Sequence, residues 1–327
     1  MSKRRPIWSR CVIGSHIVVV LALGYLLAKT RSEPCRVLLS LISGTSLFVL
    51  TGLVHEASHY LLARRAWFND LLGNLAGTLL ATPVSAYRAL HLKHHQSTNR
   101  EDDPNKVLRS RWMILFGAPT YIFLTHSHAW RHLRGWALFR YLVELAGMAA
   151  VIAALWLLPR PIREWSLFGP LIVVAVLQNV RIVTGHMDLP SGKYDDTWQL
   201  VLPGWLSVWL LHYDHHLEHH VRPRLVWHDL QALRAKLART PGLPLHRVTL
   251  PQFFLEVFFA RRYAAPATTT ISDRLEGSGV IAHREESGLF ANNGKLRTDS
   301  ASLRPEVLSS DIGTGNGVGT GNGVAAS

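Results

Sequence analysis

Apolar and polar residues are segregated along this chain on the scale of a membrane. Four runs, at 11–28, 37–54, 138–158 and 165–183, are almost wholly apolar and 18 to 21 residues long. As α-helices rising about 1.5 Å per residue, each can cross a hydrocarbon core of roughly 30 Å. Three shorter runs, at 71–86, 112–125 and 200–211, are broken by Gly and Pro. They predict interfacial or re-entrant segments, or helices packed on the spans. After about residue 263 the pattern stops. Thr, Ser, Gly and Asn dominate there, and GTGNGV occurs twice in tandem at 313–324. The expected architecture is an all-α membrane protein with about four transmembrane helices plus interfacial helices over residues 1–263, then a disordered low-complexity tail over 264–327.

Composition agrees with a membrane setting, and charge sets the topology. Of 327 residues, 48% are hydrophobic and 17% charged, against about 25% charged in soluble domains. Net charge is +13, and residues 261–327 hold seven basic and seven acidic side chains, so the whole excess lies in residues 1–260. Lys3, Arg4, Arg5 and Arg10 precede the first run and place the N-terminus inside. Four spans then make 55–137 and 184–260 cytoplasmic, and these segments carry most of the Lys and Arg. Such a body suits an anionic leaflet, and the interleaving of basic residues with membrane-length runs argues against nucleic-acid binding. The N-terminus resembles a signal peptide, but its run has membrane length and Arg-Ser-Glu-Pro follows it. An uncleaved first span is expected. Cys11 and Cys35 flank that run, too far apart for a disulfide. Without a Cys-x-x-Cys, any metal must be held by nitrogen and oxygen.

The chain has 18 histidines, and three groups have ligand spacing. His55 and His59 form H-x-x-x-H in HEASH, His91, His94 and His95 form H-x-x-H-H in HLKHH, and His216, His219 and His220 repeat H-x-x-H-H in HHLEHH. Positions i, i+3 and i+4 share a helix face, so each group can aim its imidazoles at one point. Under the topology above, all three lie on the cytoplasmic side and can converge. Eight imidazoles exceed the four ligands of one zinc and suggest two metals. Imidazole suits iron, copper, nickel and zinc, and a two-metal site at a membrane points to iron handling O2. His212, His215 and His216 also spell H-x-x-H-H, and helical spacing alone leaves that register open. Glu56, Asn99, Asp102, Asp103, Asp188, Asp214 and Glu218 lie near these histidines and are candidates to orient them. None of His16, His126, His128, His132, His228, His246 and His283 belongs to an H-x-x-H-H group.

In order and surroundings, the three boxes resemble those of the integral-membrane fatty acid desaturase family, the histidine-box non-haem diiron desaturases and hydroxylases. HEASHYLLARRAWFNDLLGNLAG, HLKHHQSTNREDDPN and HHLEHHVRPRLVWHDLQAL carry the resemblance, which runs from about residue 37 to 240. It implies a membrane-embedded catalytic domain whose cytoplasmic, histidine-rich cap holds two irons. It selects 216, 219 and 220 as the third box, with His212 and His215 outside it. It further implies a ninth ligand, His186 in RIVTGHMD, where Arg181 keeps the family's arginine and Gly185 replaces its usual glutamate. The implied metal set is His55, His59, His91, His94, His95, His186, His216, His219 and His220, with no catalytic residue beyond the ligands.

The implied activity is an O2-dependent fatty acyl (lipid) desaturase that introduces a C=C bond. A hydroxylase or carotenoid-type ketolase on the same site is the alternative. Electrons must come from an external donor, ferredoxin- or cytochrome b5-like, because no haem, flavin or iron–sulfur motif occurs; a basic face would suit an acidic donor. HEASH alone also reads as the H-E-x-x-H of a zinc metalloprotease with Glu56 as general base. That distant rival lacks an Asp-Gly pair anywhere in the chain and leaves two boxes without a role.

Overall fold

The computed structural model describes residues 5–187, 197–239 and 247–259. The expected tail, and with it Asp188, His246 and His283, lies outside these residues. Four helical stretches are long and apolar enough to cross a membrane: Cys11–Lys29, Glu33–Ser58, Gly135–Trp156 and Arg160–His186. The first lies within α1 (Arg5–Lys29). The second joins α2 (Glu33–Leu47), opened by Pro34 in its first turn, to α3 (Val49–Ser58). The third is the membrane-length α7 (Gly135–Trp156). The fourth runs through α8 (Arg160–Ile162), a π-helical turn (Arg163–Phe168) and α9 (Gly169–His186). Ile17, Val18, Leu21 and Tyr25 of α1 point outward from the protein, as a lipid-facing helix requires.

The second and fourth spans outrun their apolar stretches at the C-terminal end, reaching Ser58 and His186. Because both carry histidine at that end, they deliver it to the same side of the bundle. The segments between the spans fold there as α4 (Ala66–Thr78), α5 (Val84–Ser97) and α6 (Met113–His132). α4 leaves Trp67, Phe68, Leu71 and Leu75 exposed along one side. Its other side packs on α3 so closely that a Cβ on Gly73 would meet the Ala57 Cβ at 2.4 Å. Val54, Ala76, Tyr87, Leu90, Leu108 and Tyr121 form the core between α3, α4, α5 and α6.

The broken run at 112–125 folds as part of one continuous helix, α6, despite Pro119 inside it. The reason lies in the fourth span. Proline has no N–H to offer the carbonyl four residues before it. The buried Asn179 of α9 supplies the donor instead: its Nδ2 donates to Leu115 O at 3.2 Å and Ile114 O at 3.1 Å. The Asn179 Oδ1 accepts from the Ala118 N–H at 2.5 Å. A Cβ on Gly117 would come within 3.2 Å of this oxygen, so glycine keeps the approach open.

After the fourth span the run at 200–211 is not one helix. It divides into β1 (Gln199–Val201) and α10 (Gly204–Trp209), separated by Pro203. β1 pairs in parallel with β2 (Arg247–Thr249), placing Gln199 opposite Arg247 and Leu200 opposite Val248. Between them come α11 (His216–Val221) and α12 (Trp227–Ala238), and α13 (Leu250–Phe254) follows. Val183, Met187, Trp198, Val248 and Phe253 bury one another, fastening this segment to the end of α9.

Candidate metal centre

The first box sits where α3 ends. His55 is in its last turn, while His59 is the residue after it, at φ −95° and ψ 7°, so the two do not share one regular helix face as i,i+4 spacing predicts. Tyr60 follows at φ 60°, a left-handed turn. The last carbonyls of a helix need outside donors. Arg88 provides them, with Nε to Ser58 O at 3.1 Å and Nη2 to Ala57 O at 2.8 Å. Asn69 adds Nδ2 to Ala57 O at 2.9 Å. Asp70 balances Arg88 through a 2.5 Å contact and also takes Arg140 of the third span. The Arg88 guanidinium lies 3.9 Å over the Tyr60 ring. Arg88 is three residues before His91 on α5, so the helix that carries the second box also fixes the end of the first.

The second and third boxes are helical. His91, His94 and His95 are all buried on α5, and His216, His219 and His220 form one side of the six-residue α11. All nine imidazoles implied by the resemblance come together, in two adjoining sets. In one, Nε2 of His219 is 3.0 Å from that of His55 and 2.9 Å from that of His95. Nε2 of His91 is 3.0 Å from those of His95 and His59. In the other, His216 and His186 place Nε2 atoms 3.0 Å apart, and His94 and His220 close around His186, with ring centroids 4.9 and 4.8 Å from it. The sets touch through His95 and His220, whose rings are 4.5 Å apart.

This spacing suits metal coordination. Imidazole nitrogens bind such ions at about 2.1 Å, and two of them at right angles then stand about 3.0 Å apart. Ligands must also be neutral. Burial, with the Arg88 and Arg224 charges, pushes His59 down to about 3. Burial likewise holds His91, His95, His216, His219 and His220 well below the ordinary imidazole value, helped by their neighbours. A donor set of nitrogen alone fits iron, copper, nickel or zinc rather than magnesium or calcium.

Of the candidate orienting acids, Asp103 holds a box histidine directly: His94 Nδ1 donates to its Oδ1 at 2.9 Å and Oδ2 at 3.1 Å, leaving Nε2 free to ligate. Burial works against this carboxylate, yet His94 and the backbone N–H groups of Asn105 and Asn99 keep it below the usual range. Replacing Asp103 by Asn is expected to weaken metal retention about 10- to 100-fold, with the thermal midpoint little changed. Metal loss to a chelator followed over time, beside a melting curve, checks it; retention like wild type sinks this role. Its neighbour Asp102 is exposed and pairs with Lys93 instead. Glu56 accepts from the Trp227 N–H at the start of α12, an arrangement that ties the first box to that helix. Glu218 is fully buried and accepts from Gln199 Nε2 at 2.7 Å, while Gln199 accepts from Arg247 Nε at 3.0 Å, so the β1–β2 pair braces the third box.

The alternative register, 212, 215 and 216, has no helical face in the structure. Leu211 and His212 adopt φ of 51° and 53°, and α11 begins only at His216. His212 Nδ1 instead donates to Ser207 Oγ at 2.8 Å, and Ser207 donates to Asp214 at 2.6 Å. His212, Asp214 and His215 cluster tightly enough to hold an ion, but a cation is already present there. Arg234 donates to Asp214 Oδ2 at 2.7 Å and to His215 Nδ1 at 3.1 Å. Against the effect of burial, His215, Ser207 and Arg234 hold Asp214 down to about 2. Among the histidines outside the three groups, His126 bonds Tyr141 and the Ala81 carbonyl, and His128 stacks on His132, all outside the two sets. Arg88, Asn69, Gln199 and Arg234, which hold the boxes in place, had no spacing signal except Arg88's position one turn before His91.

Comparison with known proteins points the same way. The family model described as "Fatty acid desaturase" matches residues 34–253. An sn-1 oleoyl-lipid 12-desaturase of Picosynechococcus sp. is 31% identical over 104 residues, 30% of this chain and 27% of the relative. One from Anabaena variabilis is 29% identical over 102 residues, 31% of this chain and 28% of the relative. An sn-1 acyl-lipid omega-3 desaturase (ferredoxin) of Nostoc sp. is 32% identical over 63 residues, 19% and 18% of the two chains. The matched part thus spans little more than a quarter of the first two relatives.

Proposed function

The chain belongs to the fatty acid desaturase family, and from that premise we propose that it is a membrane-bound, O2-dependent desaturase that introduces a C=C bond into a fatty acyl lipid. The observation that carries this reading is the gathering of nine imidazoles into two adjoining sets at one end of a four-span bundle. His55, His59, His91, His95 and His219 would hold one iron, and His94, His186, His216 and His220 the other. A bound iron pair supplies the O2-activating chemistry needed to break unactivated C–H bonds. The protein's own part is positioning. Arg88 and Asn69 fix the end of α3, Asp103 fixes the proton of His94 on Nδ1, and Gln199 and Arg234 hold the short third-box helix. The buried surroundings of the sets limit water at the reacting carbons.

The relatives named as acyl-lipid desaturases support a lipid-bound acyl chain as substrate. The one named with ferredoxin supports a ferredoxin-like donor. A cytochrome b5-like donor serves the same need. The positive-inside pattern supports a centre on the cytoplasmic face, within reach of either. Mass spectrometry of lipids from host membranes making the protein tests the reading. An acyl chain that has lost two hydrogens supports it, whereas gain of one oxygen redirects it to hydroxylation or ketolation. Metal analysis of the purified protein runs beside it, with about two irons per chain expected and one zinc without iron fatal to the two-iron reading.

A further inference from the structure

One half-buried charge, Arg181, belongs to neither histidine set. Arg181 lies on α9 five residues before His186. Its guanidinium stands 3.8 Å over the Tyr213 ring, and its Nε is buried without a hydrogen-bond partner. Among the described residues no carboxylate pairs with it. A half-buried guanidinium whose buried Nε lacks an acceptor is costly. Its location makes the cost greater. Two small cavities flank the histidine sets, one beside His55, Glu56 and Tyr213, the other beside His94, Asp103 and His186, and Arg181 and His216 line both. The Arg181 charge is close enough to act on His55 of one set and His216 of the other.

A histidine ligates a metal as neutral imidazole, so metal ions held by these sets would keep their full charge beside a like-charged guanidinium. An anion between them relieves both. The ring of Tyr213 fixes the guanidinium plane without using its N–H donors, which leaves them for that anion. We propose that Arg181 and the two histidine sets form a binding site for a small inorganic anion, held between the guanidinium and the metal centre. The proposal rests on the two-iron reading. The carbons attacked belong to an apolar acyl chain, so the substrate brings no charge of its own to this point. Hydroxide from water is the physiological candidate, and azide is the probe.

The test uses the purified full chain in detergent, loaded with iron and titrated with azide. Charge-transfer absorption reports binding, and iron per chain is measured on the same samples. Arg181→Gln is expected to bind azide about tenfold or more weakly at equal iron content, and Arg181→Lys to stay within about threefold of wild type. Equal azide affinity in wild type and Arg181→Gln, at equal iron content, overturns the anion site and leaves the two-iron reading intact. A wild type that holds no iron sinks both. Should Arg181→Gln fail to fold or load iron, bromide soaked into crystals of the iron-loaded wild type decides. An anomalous peak beside the Arg181 guanidinium supports the site, and bromide bound only elsewhere overturns it.

Discussion

Alanine in place of His219 is expected to abolish lipid product and to lower iron content, while leaving the protein folded. His219 is where the chain's three histidine segments meet. From α11 its Nε2 faces His55 of the first box at 3.0 Å and His95 of the second at 2.9 Å. Alanine therefore removes one nitrogen and also the bridge that holds the other boxes to a common centre. Loss of a residue that only supports a ligand typically costs 10- to 100-fold, so product should fall by at least about 100-fold here. Folding should survive, because His219 makes no backbone-capping bond with its side chain and its ring bonds only other box histidines. His94→Ala should behave alike for the second set. His212→Ala is the contrasting variant: its ring bonds Ser207, outside both sets, and iron content should remain near wild type. Metal analysis and lipid mass spectrometry on the three variants check this, and unchanged product in His219→Ala would refute the ligand assignment.

The reach of the sequence differs from element to element for physical reasons. The four spans were legible because membrane thickness sets a length that no soluble helix must meet. The second box was legible because α5 is a regular helix through His91, His94 and His95, so spacing and geometry coincide. The first box was only half legible. HEASH lies across a helix end, and nothing in its spacing shows that Arg88 and Asn69 close that end and swing His59 toward His91. In the third box, periodicity put His212 on a shared face, but two consecutive left-handed residues break the helix before it can begin. His186 had no spacing partner at all; only the family resemblance singled it out. Gly185, which replaces the family's glutamate, has a reason in the structure. A Cβ there would already stand 3.3 Å from His216 Nε2, so a larger residue crowds that ligand. Among the adjacent acids, Asp102 and Asp103 were indistinguishable in sequence; burial and the turn at Asn99 turn only Asp103 toward His94. The β1–β2 pair was illegible because its strands are three residues each and 45 residues of chain lie between them.

The other large effect is expected far from the histidines, at Asn179. A polar side chain within a membrane span signals a task, and here the task is to repair α6. Pro119 leaves the Leu115 carbonyl without its helical donor, and Asn179 Nδ2 takes that place at 3.2 Å. Leucine at 179 keeps the branched shape but leaves that carbonyl unmet in a setting where water cannot reach it. An unsatisfied buried group costs about 1–3 kcal/mol, and loss of the 2.5 Å bond from Ala118 adds to it, so about 3 kcal/mol of stability should go. Because α9 carries His186 and α6 covers α5, a loosened α6 should also lower iron retention. The decisive measurement is a double-mutant cycle. Pro119→Ala restores an N–H within α6 itself, so Asn179→Leu should cost no more than about half as much in that background. Thermal or denaturant unfolding of the four proteins in one detergent gives the coupling. If Asn179→Leu is equally damaging with alanine at 119, the amide is there for packing and the helix-repair account is wrong. If the loss shrinks, the continuity of α6 across its proline depends on a side chain from the fourth span, and the bundle and the metal centre are held by the same contact.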